Sequence, residues 1–127
     1  MKVVGIDLAG SEKRKTGICF LKNNLAKVEI VYKDEEIIEK IESFKPLVIA
    51  IDAPLSIPKG RKSIEEKGPH FRKCDLELRK LKIKFFPITL GPMRKLTERG
   101  IKIKKELENL GFKVIETFPG AVYDIFK

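Results

Sequence analysis

Two short apolar runs in this chain each end in an aspartate, and this repeated pattern limits the folds open to it. The first run is Val3, Val4, Gly5 and Ile6 before Asp7; the second covers residues 47–51 before Asp52. Both read as strands. Alternation puts Val3, Gly5 and Asp7 on one face of the first and Val4, Ile6 and Leu8 on the other. In the second, Val48, Ala50 and Asp52 share a face, with small Ala50 placed as Gly5 is. The nearly unbroken apolar run of residues 47–51 predicts a central strand covered on both faces. An acid at the end of a buried strand is costly to ionise unless a cation or hydrogen-bond donors accompany it. Asp7 and Asp52 are therefore either site carboxylates or turn caps bonded to neighbouring backbone amides.

The rest of the chain hangs from these two strands. A basic loop bounded by Gly10 and Gly17 follows Asp7, and its Ser11, Lys13 and Arg14 are the expected substrate contacts. Residues 17–22 and 25–32 read as strands joined at Asn23-Asn24, a pair that tolerates a tight hairpin turn. In the second of these, Ala26, Val28, Ile30 and Tyr32 alternate with Lys27, Glu29, Val31 and Lys33, as suits a charge-guarded edge strand. Asp34 reads as the N-cap of a helix carrying Ile37, Ile38, Ile41 and Phe44, which Pro46 stops. A long connection over residues 53–70 precedes a short helix at about 71–81, where Arg72, Asp75 and Arg79 share one side. Either a surface ion-pair ladder or a phosphate-facing cluster would give that spacing.

Pro92 opens a strongly periodic helix that Gly111 ends. Its buried stripe is Met93, Leu96, Gly100, Ile103, Leu107 and Leu110, and its basic side includes Arg94, Lys95, Arg99 and Lys102. Residues 113–118 form a last strand with Val114, Glu116 and Phe118 on one face, and residues 121–126 begin one more helix.

Length bounds the architecture: 127 residues make one domain, spanning 1–127. No apolar run approaches the roughly 20 residues that cross a bilayer, and Asp7 comes too soon for a signal peptide. No membrane association and a cytoplasmic location are expected. Cys19 and Cys74 are no disulfide framework, and His70 with Cys74 lacks further ligands for zinc. Net charge is +9, which fits a polyanionic partner or a lysine-rich solvated surface, since the charge is spread along the chain. Abundant Lys and Glu, no Gln and three Asn resemble hyperthermophile proteins.

A three-strand meander followed by alternating helices and strands predicts an α/β fold. The expected sheet is mixed and five-stranded, in the order 3-2-1-4-5, with helices on both faces. Strands one, four and five as parallel neighbours would set Asp7, Asp52 and Glu116 side by side, with strands about 4.8 Å apart. Carboxylates so close repel unless divalent cations sit among them. Two such ions about 3.5–4 Å apart can hold a phosphodiester for in-line attack by water. An all-oxygen site predicts Mg²⁺ or Mn²⁺.

GIDLAGS with TG, then IDAPLSIP, RKCDLELRK, FFP and ETFPGA, in this order over nearly the whole chain, resemble an uncharacterised family of predicted nucleases with the ribonuclease H-like fold. The resemblance implies a metal-dependent nuclease acting on DNA or RNA by a two-metal mechanism. Asp7, Asp52 and Glu116 would then be the catalytic, metal-binding carboxylates, with Arg72 and Asp75 lining the cleft and Arg79 beside them. Ribonuclease H-like nucleases generally place a further acid on a C-terminal helix. Asp124 is the only late acid here, and its surroundings do not match that motif, so a shortened domain lacking that helix is expected, or a homodimer that completes the site. An actin or sugar-kinase-like phosphate-binding fragment shares the Asp-then-glycine first turn. A non-catalytic nucleic-acid-binding module would keep the fold without the chemistry.

Overall fold

The structure, a computed structural model, describes residues 1–126. Its elements in chain order are β1 (Lys2–Asp7), β2 (Thr16–Lys22), β3 (Leu25–Val31), α1 (Asp34–Phe44), β4 (Val48–Asp52), α2 (Lys73–Lys80), α3 (Gly91–Asn109), β5 (Val114–Glu116) and α4 (Pro119–Phe126). The strands form one mixed sheet in the order β3-β2-β1-β4-β5, as the element order predicts. The meander β1-β2-β3 is antiparallel, and β4 and β5 add in parallel on the other side of β1. Asn23 takes a positive φ of 54° in the β2–β3 turn, which asparagine tolerates better than most residues. Among the described residues, no helix is long and apolar enough to cross a membrane.

One pleat of the sheet makes the core. Val4, Ile6, Ile18, Phe20, Ile49, Ile51 and Val114 pack beneath Ile37 and Ile41 of α1 and Ile103 and Leu107 of α3. Five of these isoleucines and Leu107 are wholly buried, which at about 25 cal/mol per Å² makes this layer the main source of stability. The opposite pleat departs from the expectation of helices on both faces. Leu21, Val28, Ile30 and Ile115 remain exposed there, because α1 and α3 both return to the same side. The central strand is accordingly covered on one face only: Ile49 and Ile51 are buried, while Val48 and Ala50 are half-buried. The strand β3 lies at the sheet edge, as expected, and the structure decides which of its faces meets a helix. Its charged alternates face α1, where Glu29 pairs with Lys40 at 3.1 Å, and its apolar Val28 and Ile30 face outward.

The start of α1 and one face of α3 differ from expectation for one reason, the Arg99–Asp34 pair. Asp34 is the first residue of α1 rather than its cap, which is Lys33. Its carboxylate is taken by Arg99 Nε at 2.8 Å, and the Asp34 backbone N–H donates to Glu12 Oε2 at 2.9 Å. In α3, Arg99 leaves the expected basic face and lies 7% exposed. Leu110 is 48% exposed, because α3 ends at Asn109 and places Leu110 beyond the packed stripe.

Candidate active site

Pleat parity sets the geometry of the candidate site. Asp7 of β1 pairs in register with Asp52 of β4, so the two carboxylates project from adjacent strands on the open face. The positions beside and behind them are small: Gly17 pairs with Asp7, and Gly5 with Ala50. A Cβ at Gly17 would come within 3.8 Å of Asp7 Cβ, so glycine leaves room beside the acid. Asp7 is exposed and Asp52 half-buried. Burial, and then the charge of Asp7, pushes the Asp52 carboxyl above its ordinary value, as expected for two acids sharing a small space.

Glu116 does not join them. It pairs with Ile51 rather than with Asp52, and so lies on the core pleat with Val114. Both oxygens of its carboxylate are engaged by other partners. Arg72 donates from Nη1 to Oε1 at 2.6 Å and from Nη2 to Oε2 at 2.9 Å, and the Leu55 backbone N–H donates to Oε1 at 2.8 Å. Arg72 is itself buried, and its Nε and Nη2 donate to Asp75 at 3.0 Å each. Nη1 also reaches Ser56 Oγ at 3.2 Å, so all five guanidinium donors are used. Burial alone would lower the pKa of Arg72, but hydrogen bonds and charge from Glu116 and Asp75 outweigh it and raise the value. Arg72 and Asp75 are thus an internal clamp that ties the start of α2 to β5. Asp75 also accepts the Arg72 backbone N–H at 2.8 Å and caps the helix.

The basic loop after β1 is held rigidly. Arg99 donates to the carbonyls of Ala9 at 2.7 Å, Ser11 at 3.0 Å and Tyr32 at 2.7 Å, besides Asp34. Thr16 Oγ1 accepts the Ala9 backbone N–H at 3.0 Å, closing the loop. Thus pinned, the loop forms one wall of a cleft of about 610 Å³ lined by Asp7, Lys13, Arg14, Lys15, Met93 and Leu96 among others. Ser11 faces a neighbouring cleft of about 370 Å³ with Lys95, Arg99 and Lys102.

The expected site residues therefore fall into separate groups. Asp7 and Asp52 stand together, and Asp7 shares its cleft with Lys13 and Arg14. Glu116, Arg72 and Asp75 form the clamp, Ser11 faces the second cleft, and Arg79 lies over the Phe71 ring at 4.9 Å. His70 Nδ1 is 2.6 Å from Thr89 Oγ1. Among the described residues, no three His, Cys, Asp or Glu side chains converge as a metal-holding group. Sequence reasoning missed Arg99, although its spacing from Leu96 and Ile103 places it on the buried stripe. The face that Glu116 shares with Val114 is legible in the alternation, but only the register of β5 against β4 shows it to be the core pleat, away from Asp52.

No curated protein matches the chain in sequence. In three dimensions it is similar to the trimeric exonuclease PhoExo I from Pyrococcus horikoshii OT3, with 14% identity and a TM-score of 0.42 over 97% of this chain. The chain spans 60% of that exonuclease's length. Residues 5–126 match the profile of one family, so the chain belongs to the family described as protein of unknown function (DUF429).

Proposed function

We propose that residues 1–127 form a single ribonuclease H-like domain that hydrolyses phosphodiester bonds in nucleic acid with the help of Mg²⁺ or Mn²⁺. The observation that carries this reading is the registered pair Asp7 and Asp52, set at the ends of neighbouring parallel strands on an open face, with Asp7 in a cleft walled by cations. The donor set fits the ion: both groups are carboxylates, and Mg²⁺ is commonly held by one or two carboxylates together with substrate phosphate and water. Bound there, the ion would supply Lewis-acid polarisation of the phosphate and a more acidic water.

The chain's own residues do the remainder. Asp7 and Asp52 hold the charge and are relieved of mutual repulsion by it. Lys13 and Arg14 neutralise phosphate oxygens as they enter the cleft, and Arg99 keeps the loop carrying them in place. A second ion would need Glu116, whose oxygens Arg72 and the Leu55 amide occupy. The engagement of Glu116 is also the observation that favours the second reading, a nucleic-acid-binding module without catalysis.

Calorimetric titration of Mn²⁺ and Mg²⁺ into the wild type and into Asp7→Asn/Asp52→Asn tests the proposal. The expected result is one ion per chain, lost in the double variant, with cleavage of DNA or RNA that depends on the same two residues. Absence of binding at millimolar metal would overturn the catalytic reading and leave the binding module.

A further inference from the structure

The segment after α2 carries a feature the Asp7–Asp52 site does not use. Lys82 takes a positive φ of 57°, and the chain folds back on the helix through Lys82 N–H to the Arg79 carbonyl at 3.1 Å and Ile83 N–H to the Leu78 carbonyl at 3.0 Å. Ile83 anchors the turn at 7% exposure. This return lays Phe85 edge-on against Phe71, with centroids 6.1 Å apart at 89°. The Arg79 guanidinium covers Phe71 at 4.9 Å, and the next ring, Phe86, is left 75% exposed.

Cations flank these rings along the chain. Lys73, Arg79, Lys80, Lys82 and Lys84 are all exposed. The exposed acid among them, Glu77, is paired with Lys80 at 3.2 Å. An exposed phenylalanine is unfavourable in water, and this stretch of the chain carries more exposed cations than exposed acids. A partner that brings both flat rings and negative charge suits both. Unpaired nucleic acid does so, because bases stack on aromatic side chains and guanidinium planes while the backbone meets the lysines. A duplex keeps its bases stacked internally and offers only its phosphates.

We infer that Phe86 and the Arg79-capped Phe71–Phe85 pair form a landing surface for an unpaired nucleic-acid strand. The inference rests on the nucleic-acid reading proposed above and adds strandedness to it. Bases dock on Phe86 and on the guanidinium plane of Arg79, and the lysines of the turn track the phosphates.

Fluorescence anisotropy in a metal chelator tests this, using labelled oligothymidylate alone and annealed to oligodeoxyadenylate. Phe86→Ala is expected to weaken single-strand binding about 5- to 150-fold, the usual range for loss of one stacking partner, and to leave duplex binding unchanged. Arg79→Lys, which keeps the charge and removes the plane, is expected to act in the same direction. Both positions are exposed, and unchanged thermal midpoints will confirm that the variants fold. Equal affinity of Phe86→Ala and wild type for the single strand overturns the inference, as does an equal loss on strand and duplex. Binding to anionic phospholipid vesicles without binding to either oligonucleotide also overturns it. Metal-dependent cleavage that persists while Phe86→Ala binds normally ends this inference alone. Loss of metal binding at Asp7 and Asp52 with the strand effect intact ends only the catalytic reading.

Discussion

Arg72 and Glu116 form a two-pronged ion pair, with Nη1–Oε1 at 2.6 Å and Nη2–Oε2 at 2.9 Å, across 44 residues of sequence. The pair closes the long connection after β4 onto β5, and Asp75 completes it from below. Removing the cation would strand Asp75, which is 2% exposed. Arg72→Ala should therefore cost about 3–5 kcal/mol, the usual penalty for breaking a buried pair from one side. Glu116→Gln should cost less, since its side chain is 30% exposed and keeps an acceptor for Leu55. Urea denaturation of both variants measures this. A smaller loss for Arg72→Ala than for Glu116→Gln would refute the clamp.

The loop that carries Lys13 and Arg14 depends on a second buried arginine. Arg99 joins Ala9, Ser11, Tyr32 and Asp34 in one set of bonds. Lysine has three donors on a single nitrogen and cannot reproduce this fork. Arg99→Lys is expected to lose about 3 kcal/mol or more and to speed amide exchange across residues 9–16 more than in the core strands. Unchanged exchange in that loop would show that other contacts hold it.

Asp52 gives stability a pH dependence whose sign is fixed by its environment. Burial and Asp7 raise its pKa in the folded chain, so between the unfolded value of about 3.9 and the raised one the folded state binds more protons. The contribution of this group to stability therefore falls as pH rises through that window. Asp52→Asn removes the effect, so in chelator it should gain on the wild type as pH climbs and show least advantage below about pH 3. Urea midpoints measured across the acid range check the trend. Parallel curves for the two proteins would contradict it.

Gly100 separates local preference from packing. Gly→Ala inside a helix usually stabilises by about 1 kcal/mol. Here a Cβ would stand 2.8 Å from the Pro54 carbonyl oxygen, 3.0 Å from Leu55 Cδ2 and 3.3 Å from Ala53 Cβ. Gly100→Ala should destabilise by about 1–3 kcal/mol through overpacking of α3 on the β4 end. A stabilised variant in thermal denaturation would show that the contact yields freely.

What the sequence determined by itself was periodic and local. Alternation in residues 3–7 and 48–52 put both aspartates on one pleat with small residues behind them, and the meander followed by helix crossovers led to the order 3-2-1-4-5. The same alternation placed Glu116 with Val114, which was enough to part it from Asp52 once the register was known. Tertiary structure alone decided which side of the sheet the helices cover, and which cation each acid meets. Arg72 reaches Glu116 through a connection with no period, and Arg99 reaches Ala9 from 90 residues away. Such partners are chosen when the chain returns on itself, where burying a charge demands an opposite charge within bonding distance, and no local pattern records that return.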